Sequence, residues 1–340
     1  RLIYTMLYLG SLNRSLHSIL NNNKDVVLVG EDLLDPYGGT FKVSKGLSTA
    51  YPEQVISTPI SEAGIVGAAV GMSMRGLKPI VEIMFGDFVS LAADQIINHA
   101  CKYNWMYNGN VTVPVLIRTP VGGRRGYGPT HSQSLESIFM SVPGIEIVAP
   151  SLCHNPGEMM EKILNCIQKP TLFIEYKIDY AKKLYGDKIG DFSIARDNID
   201  DYNQNITLSL YPDKKPDVLI ITYGGNVSIA IKAAEKVFMD EELLVNVLVL
   251  SSVRPIDEKW IISKIKRCGK IITIEEGNKI GGWGAEVASV IQEKAFHELK
   301  CPVQRIGAMD IPIPSSGPME NEMLPSITRV IEKINAISGI

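Results

Sequence analysis

Thr58-Pro59-Ile60-Ser61-Glu62-Ala63-Gly64-Ile65-Val66-Gly67-Ala68-Ala69-Val70-Gly71-Met72-Ser73-Met74 contains one acid, no base and three glycines. Ser61 is a preferred N-cap residue, so its position predicts a helix over Glu62–Met74. Its body is almost uncharged, which predicts burial, and Glu62 then stands at the edge of something buried. An isolated buried carboxylate is costly. Glu62 is therefore either a structural acid satisfied near a helix N-terminus or a group tuned to exchange a proton with a bound molecule. Gly64, Gly67 and Gly71 recur at i, i+3 and i+7 and share one side of the helix, where another helix or a ligand can approach the backbone closely.

On either side of this helix the chain alternates short β-rich runs with helical stretches. Strands are predicted over residues 26–30, 79–85, 114–119, 145–149 and 171–176, with helices over 4–20, 62–74, 91–107 and 157–167. That rhythm belongs to an α/β layer fold with buried parallel strands. Residues 1–178 form a first domain by this reading. Residues 179–216 are polar and mixed, with an acidic run at 197–201, and read as a linker. A second α/β unit fills 217–340, with strands over 218–223, 245–250, 271–275 and 303–306. Its helices are expected over 228–239, 257–267 and 285–299, and near the C-terminus.

A chain of 340 residues exceeds the usual span of one core, in line with two domains. The net charge of −3 supplies no general attraction to nucleic acid, and no apolar run is long enough for a membrane helix. Five scattered cysteines without a CxxC pair suit a reducing compartment. No local zinc motif occurs, so no metal ligands are assigned.

Three further segments fall at strand ends, where parallel sheets receive ligands. Gly30-Glu31-Asp32 places two acids after the first strand. Met84-Phe85-Gly86-Asp87-Phe88 places sulfur and aromatic rings where a flat heterocycle could pack, although core packing explains them equally well. Gly122-Gly123-Arg124-Arg125-Gly126-Tyr127-Gly128-Pro129-Thr130-His131-Ser132-Gln133 is a glycine-rich loop ending at His131. It is either an adaptable active-site loop or a surface turn. It lacks both the GxxxxGK[ST] and the GxGxxG phosphate motifs, and no GxSxG elbow accompanies Ser132.

In order, GED at 30–32, YGGTFKVSKGL at 37–47, TPISEAG at 58–64, HSQS at 131–134, RPID at 254–257, EEG at 275–277 and GAE at 284–286 resemble one family over nearly the whole chain. The chain is similar to the β subunit of thiamine diphosphate-dependent 2-oxo acid dehydrogenases, the decarboxylating component of the pyruvate, branched-chain and acetoin complexes. The resemblance implies a transketolase-like pyrimidine-binding domain followed by a transketolase C-terminal domain. It makes Glu62 the acid facing N1′ of the cofactor's aminopyrimidine, a role that burial serves by opposing ionisation. Glu31, Met84 and Phe88 match positions around the pyrimidine ring, and His131 matches an active-site histidine near the substrate and the lipoyl group.

The family's diphosphate and Mg2+ motif, GDG followed later by Asn, does not occur; Gly186-Asp187 and Gly190-Asp191 lack the third glycine. The Mg2+ ligands are therefore expected on an α subunit, in an α2β2 heterotetramer with the cofactor at the α/β interface. Further partners implied are a lipoyl-bearing acyltransferase and a 2-oxo acid. The Arg124-Arg125 pair is unlike the small residues expected in pyruvate enzymes and leaves the substrate open: it contacts a substrate carboxylate or an acidic partner, or is simply solvated. Residues 166–170 are shorter than the potassium-binding loop of some relatives, and no potassium site is assigned. Two rival readings are half of a split transketolase-like synthase and a scaffold subunit without catalytic residues. The compartment expected is a bacterial cytoplasm, with a mitochondrial matrix as the alternative.

Overall fold

The computed structural model describes residues 6–339. In the first half of the chain the strands are β1 (Val26–Glu31), β2 (Val55–Thr58), β3 (Lys78–Glu82), β4 (Leu116–Val121), β5 (Glu146–Val148) and β6 (Thr171–Tyr176). The second half supplies β7 (Lys188–Ile189), β8 (Phe192–Asp197), β9 (Asn205–Ser209), β10 (Val218–Tyr223), β11 (Val245–Leu250), β12 (Ser252–Arg254), β13 (Ile271–Asn278) and β14 (Gln304–Ala308). They form two seven-stranded sheets, ordered β12-β5-β6-β4-β3-β1-β2 and β14-β13-β10-β11-β9-β8-β7.

The first sheet is parallel from β5 to β2, and both of its faces are covered. Alternate side chains of one strand therefore enter different cores. Val26 and Leu28 meet Leu12, Leu16, Met159 and Ile163 of the Tyr8–Asn22 and Pro156–Cys166 helices. Val27 and Val29 meet Ile65, Val66, Ala69 and Val70 of the Glu62–Met74 helix. That second core continues through Tyr176 and Tyr223 to Trp260, Trp283 and Val287 in the second half, so one apolar cluster spans both sheets. The helices Val227–Glu241 and Ile327–Ser338 close the other face of the second sheet.

Several sequence expectations change. The predicted strands and helices recur with shifted ends, the Glu62–Met74 helix, β6, β10 and β11 with none. The first helix runs Tyr8–Asn22; of its expected span, residues 4 and 5 lie outside the described residues. The single helix expected over 91–107 is instead a 3₁₀ segment Gly86–Ala92, a π segment Gln95–Ala100 and a short α-helix Tyr103–Met106.

The expected linker, 179–216, carries β7, β8 and β9, which extend the second sheet in antiparallel fashion and bury Phe192, Ile206 and Leu208. Its acidic run is not wholly solvated: Asp197 ends β8 and accepts hydrogen bonds from Trp260 Nε1 at 2.6 Å and Lys264 Nζ at 3.3 Å. The halves are also interwoven, because β12 pairs antiparallel with β5 at the edge of the first sheet.

Candidate active site

The strand order of the first sheet sends β2 to one side of β1 and β3 to the other, which opens a crevice between β1 and β3 at their carboxyl ends. Every expected site residue lies on that edge. Glu31 ends β1 beside Thr58, the last residue of β2. Glu62 opens the following helix, Met84 and Phe88 follow β3, and His131 lies in the loop after β4.

Ser61 caps the Glu62 helix by accepting from the Gly64 amide at 3.3 Å. A Cβ on Gly64 would stand 2.9 Å from Ser61 Oγ, so the glycine keeps the cap in place. Both acids are 6% exposed. The Glu31 carboxyl is pushed up by burial, then by the Glu62 charge beside it and by Asp32; the Ser61 backbone N–H partly offsets this. Glu31 Oε1 and Thr58 Oγ1 are buried without a hydrogen-bond partner. Two acids therefore share a desolvated place, neither forms an ion pair among the described residues, and burial opposes ionisation at Glu31, where the sequence had directed attention to Glu62.

Met84 and Phe88 are half-buried, and Phe85 is buried between several rings. The Phe85 ring centroid lies 4.7 Å from that of His131, 5.5 Å from Phe41, 5.8 Å from Phe88 and 6.0 Å from Tyr127. His131 lies 5.1 Å from Phe88, so the two predicted residues do meet. Its Nδ1 pairs with Thr130 Oγ1 at 2.9 Å, and Nε2 has no partner among the described residues.

The glycine loop is pinned from the second half of the chain. Glu276 accepts from the Gly123 amide at 2.7 Å, and Glu320 accepts from the amides of Arg124 at 2.6 Å and Gly126 at 3.1 Å. Gly122 has φ +91°, and a Cβ there would stand 2.8 Å from Glu276 Oε1. The arginine pair divides. Arg124 turns into the seam between the two halves, donating to the Pro325 carbonyl at 2.6 Å and lying 4.0 Å from Glu276. Arg125 is exposed, donates to the Lys177 carbonyl at 3.1 Å and sits 5.8 Å from the centroids of both Phe41 and Tyr127.

Behind the edge, Arg118 is fully enclosed and bridges two buried acids. Its Nη1 lies 2.5 Å from Glu82, while Nε and Nη2 lie 2.7 Å and 2.5 Å from Glu175. Ser44 also donates to Glu82, and Tyr180 donates to Glu175 at 2.7 Å. This charged core locks β3, β4 and β6 together just below Met84.

Sequence reasoning missed Lys177, whose Nζ donates to the His131 carbonyl at 2.9 Å, and the loop anchors Glu276 and Glu320. A lysine directly after a wholly buried strand was the available signal for the first. The others come from sequence separations of 153 and 196 and left no local trace. A cleft of about 730 Å³ lies elsewhere, bordered by Met140, Arg254, Glu258 and Gly282. Gly186-Asp187 and Gly190-Asp191 flank β7, and Asp187 lies 3.3 Å from Arg196. Among the described residues no group of three or more His, Cys, Asp or Glu is arranged to hold a metal, and no helix is long and apolar enough to cross a membrane.

The family model of the transketolase pyrimidine-binding domain matches residues 6–183, and that of the transketolase C-terminal domain matches 210–330. The chain is 33% identical over 94% of its length to pyruvate dehydrogenase E1 component subunit beta-1, mitochondrial, of Arabidopsis thaliana, covering 86% of that protein. It belongs to the family of 2-oxo acid dehydrogenase E1 β subunits.

Identity is likewise 33% with the 2-oxoisovalerate dehydrogenase subunit beta of Pseudomonas aeruginosa, over 92% of this E1 β-family chain and 89% of the relative. Among solved structures, a split gene transketolase described as an inactive beta4 tetramer superposes with a TM-score of 0.74 at 20% identity, covering 97% of both chains. A transketolase mutant from Pichia stipitis gives 0.70 at 16% identity, covering 99% of this chain and 46% of that one. These structures share the two-domain α/β fold. Relatives occur in bacteria and in mitochondria, their E1 β naming implies an E1 α partner, and thiamine diphosphate is the cofactor expected of transketolase-like E1 enzymes.

Proposed function

We propose that this chain supplies the pyrimidine half of a thiamine diphosphate site and acts, with an α subunit, in the oxidative decarboxylation of a 2-oxo acid and transfer of the acyl group to lipoamide. The observation that carries this reading is the buried Glu31–Glu62 pair at the β1/β3 crevice, with Glu31 Oε1 and Thr58 Oγ1 unpartnered. An aminopyrimidine presents both donors and acceptors, so it fits an acid pair with unsatisfied oxygens. Half-buried Met84 and Phe88 offer apolar surface to its ring. When bound, thiamine diphosphate supplies the electron sink for loss of CO2.

The protein's own part is proton management and placement. Glu62 holds or releases a proton at its carboxyl, and neighbouring Glu31 biases where that proton resides. His131 donates or carries a proton on the substrate side, its ring oriented by Phe85, Phe88 and Thr130. Mg2+ ligands belong to the α subunit in this reading, and the assembly is α2β2. The exposed small-residue stripe of the Glu62 helix, at Gly64, Ala68 and Gly71, suits close approach by that partner. A bacterial cytoplasm is the proposed compartment, and the 2-oxo acid is left to experiment.

The test is to co-purify the chain with its α subunit and to assay a panel of 2-oxo acids with lipoamide or with an aldehyde acceptor. Acyl-lipoamide formation supports the proposal, whereas carbon–carbon bond formation alone replaces it with the synthase reading. Glu62→Ala should assemble normally yet lose roughly 10²–10⁴-fold in turnover. Undiminished turnover would leave only a scaffold role.

A further inference from the structure

Lys177 has no part in the chemistry above, yet it is 1% exposed directly after β6. Its Nζ donates to the His131 carbonyl at 2.9 Å and lies 5.3 Å from the centroid of Phe85, the ring that packs edge-on against the His131 imidazole. Burying an ammonium is expensive. Burial lowers the Lys177 pKa to about 8, opposed by Asp87, Glu276 and Glu320, while Arg125 adds repulsion. A charge of opposite sign grips the same loop segment two residues on: Asp87 Oδ1 accepts from the Gln133 amide at 3.3 Å and from Gln133 Nε2 at 2.8 Å. His131–Gln133 is thus held at one end by a buried cation on a carbonyl and at the other by a buried carboxylate on an amide. Stability alone does not call for this arrangement, because well-packed apolar residues commonly replace buried charges at no cost.

We propose that Lys177, with Asp87 at the opposite end, is a positioning residue that clamps the His131–Gln133 segment and so sets where the His131 imidazole stands. The inference rests on the role proposed for His131. A clamp of this kind acts on kcat through placement, since displacement of a reacting group by about 1 Å costs on the order of 100-fold.

The test is a double-mutant cycle on the complex assembled with the α subunit, using Lys177→Met, His131→Ala and the pair. Lys177→Met should lower kcat for acyl transfer roughly 10- to 100-fold. KM for the 2-oxo acid, thiamine diphosphate affinity and the thermal midpoint should be kept. In the His131→Ala background the same change should cost less than about twofold, the margin within which independent sites add. Fully additive losses, or no loss from Lys177→Met alone, would overturn the clamp. Unchanged turnover in His131→Ala alone would instead sink the His131 role, so the two failures are distinguishable. If Lys177→Met does not fold, Asp87→Asn releases the other end of the segment and enters the same cycle with the same expected outcomes.

Discussion

Glu31→Gln should make the protein more stable and less active, and the size of the gain can be worked from the site. The side chain is 6% exposed, one of its oxygens has no partner, and its carboxyl is raised by burial and by the charge of Glu62. An amide of the same shape keeps an acceptor for the Ser61 N–H and removes the charge. An unsatisfied buried polar group costs about 1–3 kcal/mol. The lower end applies because the amide still leaves one polar atom without a partner and relieves only the charge. A gain of about 1 kcal/mol corresponds to roughly 2–4 °C in the melting temperature of a domain this size.

The sign of the pH dependence follows from the direction of the shift. A carboxyl raised in the folded state contributes stability below its unfolded pKa, near 4.5, and loses that contribution as pH rises through the folded value. The advantage of the glutamine should therefore be small at pH 4.5 and full at pH 8. Thermal melts of both proteins at the two pH values measure it, and turnover of the α-containing complex should fall at least about tenfold, as expected on losing a group that helps handle a proton. A variant less stable at pH 8, or a gap that does not change with pH, would refute the account of two uncompensated acids.

Other changes probe the frame and the surface. Arg118→Met leaves Glu82 and Glu175 buried without their cation and should cost about 3–5 kcal/mol, less at pH 5 than at pH 8 because the freed carboxyls can then take up protons. Denaturant titration measures it, and a cost under about 1 kcal/mol would contradict the described network. A Cβ at Gly71 would meet no atom within 4 Å, and Gly71→Leu replaces a poor helix former, so the isolated chain should gain up to about 1 kcal/mol. Co-purification with the α subunit should nevertheless be lost, and retained assembly would move the interface elsewhere.

Legibility tracked locality. The Glu62–Met74 helix was readable to the residue because its cap, its uncharged body and its glycines are all local signals. Residues 26–30 read as a strand because both faces of β1 are buried, which makes the run continuously apolar. By contrast β2 is only four residues long and half-exposed, and its pattern was too short to register. β8 and β9 were taken for linker because the polar turn between them carries the acidic run, although their alternate residues enter the core. At the candidate site, Glu31, Met84, Phe88 and His131 were singled out through strand ends and family motifs. Lys177, Glu276 and Glu320 act on the glycine loop across long sequence separations, and only folding brings them there.

The antiparallel strand that residues 252–254 lay against β5 has a consequence for biosynthesis. During translation the first sheet cannot acquire its last edge until residue 254 has left the ribosome, more than a hundred residues after β5 itself emerged. An exposed sheet edge invites pairing with other chains, and contacts this distant in sequence form late. A nascent chain stalled or cut anywhere between residues 180 and 250 should therefore display an open, adhesive margin, and should call on chaperones more strongly than the finished polypeptide does.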